Sequence, residues 1–155
     1  MDMMMKPTEQ HRKLERFAGT WTGEETIYPG PWDPKGGKAK SRQTGRLDLD
    51  GFFAIVDYQQ ERDGKTSYRG HGVFGYDANR KQYAMFWFDS MGVVAPEPAW
   101  GQLEGDTLAF QSKSPMGQGR YTYKFNSDGS VDFRIENSQD GKSWKPFLDA
   151  KYRRA

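Results

Sequence analysis

From Gly19 to the end of the chain, short segments of alternating apolar and polar residues are interrupted by turn-forming residues about once per strand length. Few folds accept that spacing. Asp63-Gly64 and Asp140-Gly141 carry the signature of a two-residue hairpin turn, and "GYDANRK", "LEGDT" and "NSDGS" supply further turns. The alternation predicts strands over residues 19–28, 39–49, 52–62, 65–76, 81–90, 98–104, 106–113, 119–126, 130–138 and 143–153. About ten strands joined by short turns make a meander. With no helices to cover it, such a sheet closes into a barrel or folds into a sandwich, because an open sheet would leave long edges unpaired.

One helix precedes the strands. Thr8 follows Pro7 and can cap a segment that sets His11, Leu14, Glu15 and Ala18 on one face, with Phe17 beside them. About ten residues are marginal as an isolated helix, so this one is expected to lean on the sheet and plug one end of it. Residues 1–7 are read as a disordered start and 8–155 as one domain, since no repeat, linker or low-complexity tract divides the chain. At 155 residues a single core is expected, burying about two thirds of the unfolded-chain surface.

Composition removes several classes of function. With Cys at 0 there is no disulfide framework, thiolate metal site or cysteine nucleophile. The net charge of +2 gives no global field for DNA or acidic membranes. The densest basic run, "KGGKAKSRQTGR", contains no interleaved aromatic of the kind a single-strand platform uses, and reads as a solvated loop and strand face. Neither a nucleic-acid nor a membrane partner is therefore expected. The start "MDMMMKPTEQ" lacks the apolar core of a signal peptide, and no apolar run approaches the roughly 18 residues of a membrane span, so a cytoplasmic location is the expectation.

Turn chemistry also gives registers. A two-residue Asp63-Gly64 loop sets Val56 opposite His71 and Ile55 opposite Gly72. A two-residue Asp140-Gly141 loop sets Ile135 opposite Pro146 and Phe133 opposite Leu148. In "YRGHGVFGYDANRKQYAMFWFDSMG", a four-residue Asp77–Arg80 loop places Gly70 opposite Trp87 and Gly72 opposite Met85, so that glycines make room for large side chains across the ladder.

Gly19-Thr20-Trp21, a Gly-x-Trp on the first strand after a short helix, is joined in order by "GHGVFGYD", "YAMFWFDSMG", "SPMGQG" and a closing "KYRR". Together these resemble a bacterial calycin-like family of unknown function, over roughly residues 10–154. The resemblance implies an all-β fold, a single antiparallel up-and-down barrel, and brings no established activity with it. It also implies that Trp21 sits at the closed end of the barrel under an arginine of the last strand, Arg153 or Arg154.

Four residues of one strand share a parity: Tyr83, Met85, Trp87 and Asp89. The resemblance rests on this Trp and Asp, so that face is taken as the inner wall and as the candidate ligand-binding surface. Asp89 either orients a polar group on a mostly apolar ligand or caps the turn near Ser90. His71 is a further candidate, as a ligand contact or as a strand histidine bonded to a neighbour; with only His11 and His71 in the chain, three-ligand metal sites built on histidine are not indicated. The outward Phe86 and Phe88, with Val73 and Val56, form an apolar face suited to homodimerisation unless the N-terminal helix covers it. The reading that follows is non-catalytic binding of a small apolar or amphipathic molecule, with no catalytic residue, metal or cofactor assigned. The alternatives are an enzyme using Asp89 and His71 as an acid–base pair and a packed barrel acting as a protein-interaction module.

Overall fold

Asp63 and Gly64 both adopt positive φ, 53° and 76°, as a two-residue type I′ turn requires, and the chain reverses there between β3 (Phe53–Arg62) and β4 (Lys65–Asp77). The computed structural model describes residues 5–155. The other strands are β1 (Gly19–Ile27), β2 (Gly37–Asp48), β5 (Gln82–Asp89), β6 (Ala99–Glu104), β7 (Thr107–Ser114), β8 (Gly117–Phe125), β9 (Val131–Ser138) and β10 (Lys145–Arg154). Every strand end lies within two residues of its predicted place. All neighbours are antiparallel, and β1 pairs with both β2 and β10, so the sheet closes into a barrel, with its shortest seam between β5 and β6 over Tyr83–Met85.

All three predicted registers need correction. In the β3–β4 hairpin Arg62 faces Lys65, but a bulge at Gln60/Glu61 inserts one residue into β4, so Gly72 rather than His71 lies opposite Val56 and His71 lies opposite Asp57. The β9–β10 connection is longer than two residues: Asn137 faces Lys145, and with a further irregularity between Pro146 and Leu148, Ile135 faces Leu148 and Phe133 faces Ala150. Between β4 and β5 a four-residue loop spans 78–81 rather than 77–80. Gly72 is therefore opposite Trp87 and Gly70 opposite Asp89. That shift moves both ends of the loop together and leaves the parity of the strands intact.

The expected disordered start falls partly outside the described residues, which begin at Met5. The helix is shorter than predicted: α1 (Glu9–Arg12) passes into a 3-10 turn over Lys13–Phe17. His11 fastens its start, Nδ1 accepting from the Thr8 backbone N at 3.0 Å. With three residues per turn in the second half, His11, Leu14 and Phe17 line up and are buried, whereas Glu15 and Ala18 leave the inward face. Phe17 enters the barrel end and stacks on Phe74 at 4.2 Å between ring centroids, with Tyr123 edge-on. Gly45 makes this entry possible, because a Cβ there would meet the Phe17 carbonyl oxygen at 2.0 Å. The helix thus seals one end of the lumen and leaves the outer wall uncovered.

At the sealed end Trp21 is buried, its Nε1 donating to the Phe17 carbonyl at 3.3 Å. Arg154 lies opposite Trp21 in the register, with its guanidinium 4.3 Å from the ring centroid, and also donates to the Ala18 carbonyl at 3.0 Å. Arg153, of the other parity, pairs with Thr22 and faces outward.

Candidate functional site: the inner wall of the barrel

Because Trp21 faces inward, strand alternation carries Gly23, Glu25 and Ile27 inward with it. A carboxylate is thereby placed inside the barrel. Glu25 is only 2% exposed and accepts hydrogen bonds from Tyr58 at 2.6 and 2.8 Å, from the Gln60 amide at 2.8 Å and from Tyr152 at 3.2 Å. A buried carboxylate is tolerated only when donors replace the water it loses, and β3 and β10 supply them. Burial, and secondarily the negative charge of Glu25, pushes the Tyr58 and Tyr152 phenols well above their ordinary range. Both hydroxyls therefore stay protonated and remain donors. Gly23 admits the Tyr152 ring, since a Cβ at this position would lie 2.6 Å from it, and beside this glycine the buried Ser41 hydroxyl has no hydrogen-bond partner among the described residues.

β4 and β5 add a second set. Tyr68 donates to Asp89 Oδ2 at 2.7 Å, and Trp87 Nε1 lies 2.7 Å from the Tyr68 hydroxyl and 3.1 Å from the same carboxylate oxygen. Asp89 Oδ1 accepts from the Met91 backbone N at 2.9 Å. One oxygen of Asp89 thus caps the turn, the second of the two roles expected of it, and the other accepts from the wall residues Tyr68 and Trp87. Burial first, then the bond to Asp89, raises the Tyr68 phenol. The Tyr58 ring contacts Tyr68 and Trp87 edge-on, each at 5.9 Å, which joins the two sets into one polar seam down the lumen.

The candidate residues divide by depth. Tyr83, Met85, Trp87 and Asp89 all face inward, but Tyr83 and Met85 are buried near the sealed end, where the Tyr83 hydroxyl donates to the Gln10 carbonyl at 2.7 Å and its phenol is pushed up to about 12 by burial. Those two belong to the plug. Trp87 and Asp89, half-buried, lie toward the end of β5 away from the helix. His71 is on the outside, 2.6 Å from Asp57, so Asp89 and His71 lie on opposite faces of the wall and do not meet as an acid–base pair. The space left by the glycines is filled by Trp87: a Cβ on Gly70 would lie 2.2 Å from its ring and one on Gly72 3.1 Å. Val56 is buried on the inner face, so the outward apolar patch consists of Ile55, Val73, Phe86 and Phe88, the last two 40% and 47% exposed.

Glu25, Tyr58, Gln60, Tyr68 and Tyr152 were not among the residues that sequence reasoning singled out. Parity held the signal: once Trp21 is assigned inward, Glu25 four residues later must be inward too. Two surface depressions, of about 710 and about 500 Å³, are lined mainly by outward side chains; Glu25 borders the first, and Tyr58 and Asp89 border the second. Among the described residues no group of three His, Asp or Glu side chains is disposed to hold a metal ion, and no helix is long and apolar enough to cross a membrane.

Residues 6–154 match the pattern of a protein family of unknown function, DUF1579. The chain belongs to this family. No curated protein matches this DUF1579 chain. Among solved structures, Rv2717c from M. tuberculosis superposes with a TM-score of 0.71 at 14% identity, covering 96% of this chain and 98% of its own. The S-type phycobiliprotein lyase CPES from Guillardia theta superposes with a TM-score of 0.64 at 11% identity, covering 96% and 93%. At these identities the likeness is one of fold, over 96% of this DUF1579 chain in both cases.

Proposed function

We propose that this DUF1579 protein is a calycin-like barrel that binds a small, largely apolar molecule without turning it over, at the open end of the lumen. The observation that carries the reading is the Tyr68, Trp87 and Asp89 set, hydrogen-bonded, half-buried on the inner face and joined through Tyr58 to the buried Glu25 cluster. Ligand sites are commonly apolar walls with a few fixed polar groups, and this wall has that make-up. Trp87 supplies the broad face. Tyr68 and Asp89 supply the polar atoms. The phycobiliprotein lyase shares the barrel shape, so in one protein at least this fold serves an activity directed at another molecule.

Because the indole already lies on Gly70 and Gly72, a ligand entering here stacks on Trp87 rather than on the glycines behind it. The test is titration of a neutral apolar fluorophore such as Nile red against wild type, Tyr68→Phe, Asp89→Asn, Trp87→Leu and His71→Ala. Loss of binding of about tenfold in Trp87→Leu, a smaller loss in Asp89→Asn and none in His71→Ala are expected. Equal binding by wild type and a folded Trp87→Leu variant overturns the reading.

A further inference from the structure

Outward residues of neighbouring strands fall in rows across the barrel, and two adjacent rows treat charge in opposite ways. One runs Glu61, Lys40, Glu24, Lys151, Asp132 and Lys124, alternating in sign at every step. Opposite charges on facing strands compensate each other, so that row needs no partner. The next row replaces both glutamates by neutral residues and runs Arg69, Gln59, Arg42, Thr22 and Arg153. Among the described residues, Arg42 and Arg69 have no carboxylate within 4.0 Å, while every one of Arg46, Arg62, Arg80, Arg120 and Arg134 has one.

Arg42 and Arg69 stand two strands apart, about 10 Å, on either side of Gln59. Their long side chains can converge on one anion. They border the depression of about 500 Å³ on the outer wall of β2 to β5, a volume within the range of small-molecule sites. Its floor includes His71 and the exposed Phe88. Two acids border this depression: Asp57, whose charge is taken by His71 at 2.6 Å and Arg46 at 3.7 Å, and Asp89, whose side chain belongs to the inner face and whose oxygens accept from Tyr68, Trp87 and the Met91 backbone N. What remains free is two guanidinium groups beside one aromatic face.

We propose that this outer depression binds a small aromatic anion, its charged group between Arg42 and Arg69 and its ring on Phe88. Guanidinium pairs recognise phosphate and carboxylate oxygens by paired hydrogen bonds, and an exposed phenyl face supplies the apolar contact that a bare anion lacks. The proposed contacts lie on the outer face, since Phe88 and Trp87 are neighbours in sequence on opposite faces of β5, although Tyr58 and Asp89 of the inner set also border the depression.

The experiment is amide-resolved NMR titration of the full chain with 1-naphthyl phosphate, alongside inorganic phosphate and 1-naphthol, each of which offers one half of the interaction. Saturable shifts at Gln59, Arg69, His71 and Phe88 are expected, with each half-probe at least tenfold weaker. The double substitution Arg42→Gln, Arg69→Gln should weaken 1-naphthyl phosphate at least tenfold, and Phe88→Ala should do so independently. Arg153→Gln, in the same row but outside the depression, should change it less than twofold. The proposal is overturned by no saturable binding at millimolar probe, by shifts centred on Tyr68 and Trp87 in the lumen, or by inorganic phosphate binding as tightly as the aryl phosphate. It also fails if light scattering finds a dimer that dissociates on Phe88→Ala, which would assign the aromatic face to a second copy of the chain.

Discussion

Truncating Glu25 to alanine strips the acceptor from three donors at once, and the geometry sets how much that should cost. The Tyr58 and Gln60 bonds, at 2.6 and 2.8 Å, are at full-strength lengths, whereas Tyr152 at 3.2 Å is long for a hydroxyl donor. Hydrogen bonds to a charged group contribute about 1.5–3 kcal/mol each after the cost of desolvation. Two such bonds put Glu25→Ala at about 3–6 kcal/mol of lost stability, with the weak third bond adding little. For a chain of this length that corresponds to a fall in Tm of about 10–20 °C. Urea unfolding followed by tryptophan fluorescence reads it, since Trp21 and Trp87 both sit against the lumen. Two single-donor variants divide the total: Tyr58→Phe should cost more than Tyr152→Phe, in the order of their bond lengths. A Glu25→Ala variant within about 1 kcal/mol of wild type would refute the reasoning. So would a Glu25→Leu variant more stable than wild type, since the carboxylate would then cost more to bury than its donors return.

Three further outcomes are expected. Arg154→Ala should lose about 1–2 kcal/mol through the cation over Trp21 and the bond to Ala18, and shift tryptophan emission, while Arg153→Ala should leave thermal melting unchanged. Gly70→Ala should displace the Trp87 indole, whose ring would be 2.2 Å from the new Cβ, and so destabilise the protein and alter near-UV circular dichroism more than Gly64→Ala at the open hairpin turn alters it. Stability should fall steeply in alkali. The phenols of Tyr58, Tyr123 and Tyr152 are raised in the folded state, so above about pH 10 the unfolded chain releases protons that the folded chain retains. The slope approaches about 4 kcal/mol per pH unit for three such groups. Urea midpoints that are flat from pH 9.5 to 11 would show that these tyrosines ionise in place.

Strand-length turn spacing and period-two alternation were sufficient to place all ten strands and their antiparallel order, because both are local properties of the chain. The inward parity of Trp87 and Asp89, taken from the resemblance, agrees with the structure, and a one-residue change at each end of the β4–β5 loop left it untouched. What local signals do not carry is the bulge at Gln60/Glu61, which depends on the twist needed to close the barrel and which moves His71 from Val56 to Asp57. The Glu25 cluster has the same origin. Glu25, Tyr58 and Tyr152 come from strands separated by more than thirty and more than ninety residues, and meet only because β10 returns to β1. Alternation determines which face a side chain takes; closure determines which side chains share the space inside. Whether a glycine opposite a tryptophan leaves a cavity or a seat for the ring is likewise a matter of packing, and here Trp87 fills the space over Gly70 and shares that over Gly72 with Phe74.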